Sequence, residues 1–132
     1  MSYLFYQIVF FVRHLLDVAL SVAVLAGIIG YFKGYRILFV MSGSMEPTFR
    51  IHQPLVAKCI TAEDSIEIGD IVSYRPTGNY SVTHRVVGIE DGKYILKGDN
   101  NNEADAPIER AKIINKVVRY KENVKIIEKT ES

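Results

Sequence analysis

One serine, one histidine and two aspartates are the residue types in this sequence that could together attack a carbonyl group. Ser44 lies in the short segment Ser42–Ser44, which contains a glycine and directly follows an apolar run. His84 lies in an apolar segment, and Asp99 and Asp105 lie in a polar loop further along the chain. A histidine that accepts the proton of a serine hydroxyl makes the serine nucleophilic, and a carboxylate fixes the histidine tautomer. Backbone N–H groups in a tight turn can also bind an oxyanion.

Each of these residues also has an ordinary structural interpretation. Ser42–Ser44 can be a plain turn between two strands. His84 stands between two valines on one face of a predicted strand, a position typical of a core histidine. The aspartate loop can be an Asx-rich turn, and it lacks the ligand spacing of an EF-hand, so we expect no metal site. His14 and His52 compete with His84 for the role of base.

The composition limits the size and class of the protein. Its 132 residues suffice for one domain and one appended segment. The 16 basic and 15 acidic residues nearly balance, which argues against a nucleic-acid-binding surface. Cys59 is the single cysteine, so the chain has neither an internal disulfide nor a cysteine-rich metal site.

An apolar segment near the N-terminus predicts a membrane helix. Leu15–Phe32 contains one charged residue, Asp17, and its 18 residues would rise roughly 27 Å as a helix, close to the ~30 Å hydrocarbon core. A buried core helix would have a polar face. A cleaved signal peptide would have a shorter apolar region followed by small residues, whereas Tyr31–Lys33 ends this one. We therefore expect residues 1–33 to form an uncleaved, single membrane anchor.

The rest of the chain, residues 34–132, predicts a mainly β domain, a small folded sheet or barrel. Short apolar runs alternate with turn signals in this region. Asp91-Gly92 separates two of the runs and predicts a hairpin with a type I′ turn. The predicted strands are Arg36–Met41, Leu55–Ile60, Ile71–Arg75, Tyr80–Glu90, Lys93–Gly98 and Lys112–Tyr120.

Four motifs follow the anchor in a fixed order. They read SGSMEPT (Ser42–Thr48), GDIVSYR (Gly69–Arg75), THRVV (Thr83–Val87) and KGDNN (Lys97–Asn101). This series resembles the type I signal peptidase family over most of the predicted β domain. The bacterial housekeeping members of that family carry a lysine where this chain has His84. The chain is therefore similar to the histidine-containing branch found in archaea, in the endoplasmic reticulum and in some Gram-positive bacteria.

The resemblance implies a role for each candidate site residue. Ser44 matches the nucleophile, His84 matches the general base, and Asp105 matches the residue that orients His84. Asp99 matches an acidic position that either joins this network or braces the loop against the Ser44 turn. Ser42 matches a position whose hydroxyl forms the oxyanion hole together with the Ser44 N–H group.

The resemblance also implies a substrate and partners. It implies a serine endopeptidase, without a cofactor, that removes N-terminal signal peptides from secreted or membrane preproteins. The substrate would bind as an extended strand beside Val40–Ser42 and Ser81–Thr83. Signal peptides and membrane lipid are the implied partners, and accessory subunits or a translocon are further candidates. The predicted substrate-binding residues are Val40, Met41, Val82 and Thr83.

The sequence gives conflicting indications about membrane sidedness. Arg13 precedes the predicted span, whereas Lys33, Arg36 and Arg50 follow it, and this distribution favours a cytoplasmic domain. The resemblance instead implies a domain on the extracytoplasmic or lumenal side of the cell membrane or the endoplasmic reticulum membrane. We expect the second arrangement, because the charge bias is small.

Two other classes of protein remain as alternatives. One is a catalytically silent, membrane-tethered β module that binds extended peptides. Such a module would be expected to lack Ser44 or His84, and both are present. The other is a self-cleaving peptidase of the repressor type, which normally pairs serine with lysine and carries a DNA-binding segment. His84 and the N-terminal anchor argue against it.

Overall fold

The computed structural model of the chain describes residues 2–119, and the chain divides into two compact units, Met1–Gly34 and Tyr35–Ser132. The first unit contains one helix, α1, Ser2–Phe32. It begins well before Leu15, because the residues upstream are also apolar and include neither proline nor glycine. Its segment Tyr3–Phe32 is long and apolar enough to cross a membrane, and no second such helix occurs among the described residues.

The second unit is a six-stranded antiparallel sheet, so the prediction of a mainly β fold with one N-terminal helix is confirmed. The order of strands across the sheet is β1-β2-β6-β3-β4-β5. Each predicted strand is found with its ends within two residues of the predicted ones, and Tyr120 of the last prediction lies outside the described residues. The strands are β1 (Tyr35–Phe39), β2 (Pro54–Cys59), β3 (Ile71–Tyr74), β4 (Val82–Glu90), β5 (Lys93–Lys97) and β6 (Ile113–Arg119).

The turn between β4 and β5 has the predicted geometry. Asp91 has a φ of 49° and Gly92 a φ of 74°, so both central residues are left-handed. A type I′ turn requires this conformation at both positions, and glycine adopts it without a steric penalty. The hairpin fixes the register of β4, which carries His84.

Two apolar clusters hold the elements that carry the candidate site residues. The first cluster includes Val86 from β4 and Tyr74 from β3, and the second includes Met45, which directly follows Ser44. Packing in the first cluster therefore holds β3 and β4 in place, and packing in the second holds the Ser44 turn. The buried members of the first cluster are Ile66, Val72, Tyr74, Val86, Leu96, Ile108 and Ile113. Those of the second are Met45, Phe49, Leu55, Ile71 and Val117.

Candidate active site

Ser44 lies in a short 3-10 turn, Gly43–Met45, that begins a few residues after the end of β1. The next side chain, Met45, is only 2% exposed and packs in the second apolar cluster. The Met45 carbonyl also accepts a hydrogen bond from the Phe49 N–H group at 3.0 Å. Burial of Met45 therefore anchors the turn, while Ser44 itself stays partly exposed.

His84 lies on β4, opposite Val72 of β3, and is 5% exposed. Its Nδ1 lies 2.6 Å from Asp105 Oδ2, and its Nε2 lies 3.2 Å from Ser44 Oγ. When Nδ1 carries the proton and donates a hydrogen bond to the carboxylate, Nε2 has no proton and accepts a hydrogen bond from the Ser44 hydroxyl. The structure thus brings Ser44, His84 and Asp105 together in one hydrogen-bonded chain.

Asp105 is held by two further hydrogen bonds. Its backbone N–H donates to the Leu96 carbonyl at 2.7 Å, and the Tyr74 hydroxyl donates to its Oδ2 at 2.8 Å. Burial and the adjacent Asp105 carboxylate raise the pKa of Tyr74 well above its usual range. Tyr74 is therefore a neutral hydrogen-bond donor to Asp105 at neutral pH.

Asp99 binds a different set of partners. Its Oδ1 accepts from Arg85 Nε at 2.9 Å, and its Oδ2 accepts from a terminal nitrogen of Arg85 at 2.7 Å and from Thr48 Oγ1 at 2.5 Å. Burial alone would raise the pKa of Asp99, but the hydrogen bonds from Arg85 and Thr48 outweigh it, so the pKa is lowered. The structure therefore separates the two aspartates: Asp105 binds His84, and Asp99 ties together Thr48, near the Ser44 turn, and β4.

The KGDNN loop donates hydrogen bonds to the backbone carbonyl groups of the Ser44 turn. The Asn100 N–H donates to the Ser44 carbonyl at 2.8 Å, and the Asn100 side chain donates to the Gly43 carbonyl at 3.1 Å. At Gly98 a Cβ would lie 2.6 Å from the Ser44 carbonyl oxygen, so only glycine fits without displacement. The loop therefore sets the position of the Ser44 backbone.

Ser42 lies beside the hydroxyl of Ser44. The two Oγ atoms are 3.3 Å apart, and Ser42 has an extended backbone with φ −145° and ψ 164°. The Ser44 N–H group belongs to the first turn of the 3-10 segment, where N–H groups have no acceptor within the helix. The segment thus holds two hydrogen-bond donors close together in sequence, the Ser42 hydroxyl and the Ser44 N–H group.

A cavity of about 620 Å³ extends along the Ser44 side of the sheet. Ser42 and Ser44 line it, together with the start of β4, the end of β1 and the two residues that follow β1. All four predicted substrate-binding residues line it: Val40, Met41, Val82 and Thr83. Its other apolar lining residues include Leu38, Met45, Phe49 and Leu55.

The other two histidines have different partners. His14 belongs to α1 and packs against Phe10, with ring centroids 4.3 Å apart. His52 precedes β2, and its N–H donates to the Val40 carbonyl at 2.7 Å. Within residues 2–119, no group of three His, Cys, Asp or Glu side chains could hold a metal ion.

The sequence motifs contained several residues for which sequence analysis gave no role. Thr48, Arg85 and Asn100 lie inside the motifs, and each binds another motif in the structure. Tyr74 also lies inside a motif. The hydroxyl of a tyrosine within a buried strand usually has a hydrogen-bond partner, so Tyr74 in an apolar strand indicated that such a partner exists. The partner, Asp105, is distant in sequence and could not be identified from the pattern.

Known signal peptidases are similar to parts of this chain, although no protein-family model matches it. Signal peptidase I W of Bacillus subtilis (strain 168) is 41% identical over 80 residues, which are 57% of this chain and 42% of that protein. The signal peptidase complex catalytic subunit SEC11 of Metarhizium acridum (strain CQMa 102) is 37% identical over 97 residues, 64% of this chain and 56% of that protein. Human SEC11C, also named a signal peptidase complex catalytic subunit, is 37% identical over 75 residues, 52% of this chain and 38% of that protein.

The chain thus spans about half the length of the relatives it matches. The similarities agree with the family that the four motifs and His84 resemble. These similarities support the type I signal peptidase family, in its histidine-containing branch, as the family that this chain resembles.

Proposed function

We propose that this protein is a membrane-bound serine endopeptidase that removes N-terminal signal peptides from secreted or membrane preproteins. The observation that carries the proposal is the hydrogen-bonded chain from Ser44 Oγ through His84 to Asp105, with distances of 3.2 and 2.6 Å. The names of the relatives support the same substrate class.

In the proposed reaction, Ser44 Oγ attacks the carbonyl carbon of the scissile peptide bond while His84 Nε2 accepts the hydroxyl proton. The negative charge that develops on the carbonyl oxygen is stabilised by the Ser42 hydroxyl and the Ser44 N–H group. The C–N bond then breaks, and His84 returns the proton to the leaving amine. The signal peptide remains as an ester on Ser44.

Hydrolysis of this ester completes the cycle. His84 accepts a proton from water, the resulting hydroxide attacks the ester carbonyl, and Ser44 Oγ leaves and regains the proton from His84. Asp105 holds His84 in the tautomer with Nδ1–H throughout and stabilises the imidazolium. Asp99 acts indirectly, because its partners Arg85 and Thr48 connect β4 with the segment after Ser44.

The substrate binds as an extended strand along the cavity. Val40 N–H donates to the Gln53 carbonyl at 3.1 Å, and the Val40 carbonyl accepts from His52. Successive strand residues direct their N–H and C=O groups to opposite sides, so those of Met41 point away from β2 and towards the open side. A peptide strand can pair there, as in other β-augmentation complexes.

The remaining proposals concern domains, membrane and partners. Residues 1–33 form the anchor and residues 34–132 the endopeptidase domain, which faces the extracytoplasmic or lumenal side. The apolar helix Tyr3–Phe32 supports a single-pass arrangement. Lipid and signal peptides are the partners that this arrangement requires. The SEC11 relatives are named as catalytic subunits of a signal peptidase complex, which supports accessory subunits as further partners.

The test is cleavage of a preprotein by the purified full chain in detergent or proteoliposomes. We expect wild type to release the signal peptide and Ser44→Ala to lose at least ~10⁴-fold in turnover. Ser65→Ala, which changes an exposed serine outside the cavity, serves as the matched control and should cleave normally. Cleavage by Ser44→Ala at the wild-type rate would refute the proposal. Binding without cleavage by the wild type would instead indicate the peptide-binding β module.

A further inference from the structure

One carboxylate oxygen near His84 accepts two hydrogen bonds. Asp105 Oδ2 lies 2.6 Å from His84 Nδ1 and 2.8 Å from the Tyr74 hydroxyl. Tyr74 belongs to β3, is 3% exposed and packs in the first apolar cluster. Its ring centroid lies 6.3 Å from that of His84. A buried hydroxyl therefore contacts the same oxygen that binds the imidazole.

We propose that Tyr74 is a positioning residue that sets the proton affinity of His84 through Asp105. This inference rests on the proposed role of His84 as general base. The Tyr74 hydroxyl fixes the Asp105 carboxylate against His84 and withdraws part of its negative charge. Less charge is then available to stabilise the imidazolium, so His84 remains a neutral base at lower pH.

The geometry supports this role because Tyr74 has little freedom to move. Its strand is paired on both sides, with β4 and with β6, and the ring is enclosed by apolar side chains. Burial and the Asp105 carboxylate both raise the pKa of Tyr74, so the hydroxyl keeps its proton over the working range. The Asp105 side chain is 23% exposed, so water can also reach the carboxylate. Such a water molecule can exchange with solvent, whereas the Tyr74 hydroxyl is fixed by the packing of its ring.

Other ionisable and charged groups lie around this network. Asp99 interacts electrostatically with His84, but its charge is balanced by Arg85 in an ion pair of 2.7 Å. Tyr80 interacts electrostatically with Tyr74. On β6, Lys116 lies opposite Val72, and its ammonium group binds Asp70 at 2.6 Å. Removal of the Tyr74 hydroxyl leaves all of these charges unchanged.

The test compares Tyr74→Phe with Tyr94→Phe in the full chain. Tyr94 is a partly buried tyrosine that packs against the same cluster, and its hydroxyl has no hydrogen bond among residues 2–119. Two quantities are measured for each variant: the midpoint of the acid limb of kcat against pH, and the midpoint at which the His84 NMR signals titrate. We expect Tyr74→Phe to raise both midpoints by about 0.5 to 1 pH unit, the effect of losing one hydrogen bond. Tyr94→Phe should leave both unchanged.

A second variant tests the same inference in the opposite direction and keeps the ring in place. Incorporation of 3-fluorotyrosine at position 74 makes the hydroxyl a stronger donor, so both midpoints should fall. If both Tyr74 variants titrate like wild type while Ser44→Ala is inactive, the inference about Tyr74 is wrong and the proposed function stands. If Ser44→Ala still cleaves, the proposed function fails, whatever the His84 signals show.

Discussion

Gly98 offers a sharp test of how the KGDNN loop positions Ser44. A Cβ at this position would lie 2.6 Å from the Ser44 carbonyl oxygen, whereas such contacts essentially never fall below 3.0 Å. The oxygen and the new methyl group must therefore separate by at least 0.4 Å. The Asn101 side chain, 2.8 Å away, can rotate, but the Ser44 carbonyl belongs to the backbone and accepts a hydrogen bond from Asn100.

We expect Gly98→Ala to reduce both stability and activity. Overpacking of this kind costs about 1–3 kcal/mol in the free energy of unfolding. A misplacement of about 1 Å near the chemistry can cost ~10²-fold in rate, so a shift of this size should lower kcat at least ~10-fold. The assays are preprotein cleavage by the full chain and thermal unfolding followed by circular dichroism.

Gly88→Ala is the matched control for this prediction. A Cβ at Gly88 would meet Ile95 at 3.5 Å, an ordinary van der Waals contact, and β4 also carries His84. This variant should keep wild-type kcat and unfold within a few °C of wild type. A Gly98→Ala protein with wild-type kcat and an unchanged unfolding midpoint would refute the argument that the loop holds the Ser44 backbone.

Three further predictions concern the two aspartates and the membrane. Asp105→Asn should lower kcat by ~10³- to 10⁴-fold with unfolding nearly unchanged, because an amide favours the wrong histidine tautomer; full activity in preprotein cleavage would contradict this. Asp99→Asn should destabilise the domain by about 1–2 kcal/mol in urea unfolding at pH 7, because Arg85 loses a charged acceptor. The pKa of Asp99 is lowered in the folded state, so the carboxylate stabilises the folded domain above about pH 4, and this stabilisation is lost as the pH falls through the lowered pKa. If wild type and Asp99→Asn differed equally in free energy of unfolding at pH 7 and at pH 3, this reasoning would be wrong. A cysteine at the exposed Thr77, in a Cys59→Ser background, should react with an impermeant thiol reagent in intact cells, and labelling only after lysis would indicate a cytoplasmic domain.

The elements of the fold could be predicted because local patterns determine them. Period-two alternation around His84 indicated β4, and Asp91-Gly92 indicated the hairpin that follows it. The segment Leu15–Phe32, whose length was matched to the thickness of a bilayer, covers only the second part of α1. A helix continues as long as its residues favour it, and here it begins at Ser2.

The resemblance implied that Asp105 is paired with His84. The other partners of the two aspartates could not be predicted, because they depend on contacts between distant parts of the chain. Thr48 and Asp99 are 51 residues apart, and Tyr74 and Asp105 are 31 apart. Composition and periodicity indicate the face of the sheet on which a side chain lies, but they do not identify the side chain that binds it. Tyr74 as a second partner of Asp105, and Arg85 as the partner of Asp99, are therefore findings of the structure.

The most direct test of the central claim is detection of the acyl-enzyme on Ser44. The full chain is mixed with a preprotein at a pH on the acid limb, where ester hydrolysis slows, and is quenched with acid within milliseconds to seconds. Mass spectrometry of the digested protein should then find the signal-peptide fragment esterified to the peptide that contains Ser44, and the adduct should be absent from Ser44→Ala. An adduct on another residue, or the same adduct in Ser44→Ala, would show that Ser44 is not the nucleophile.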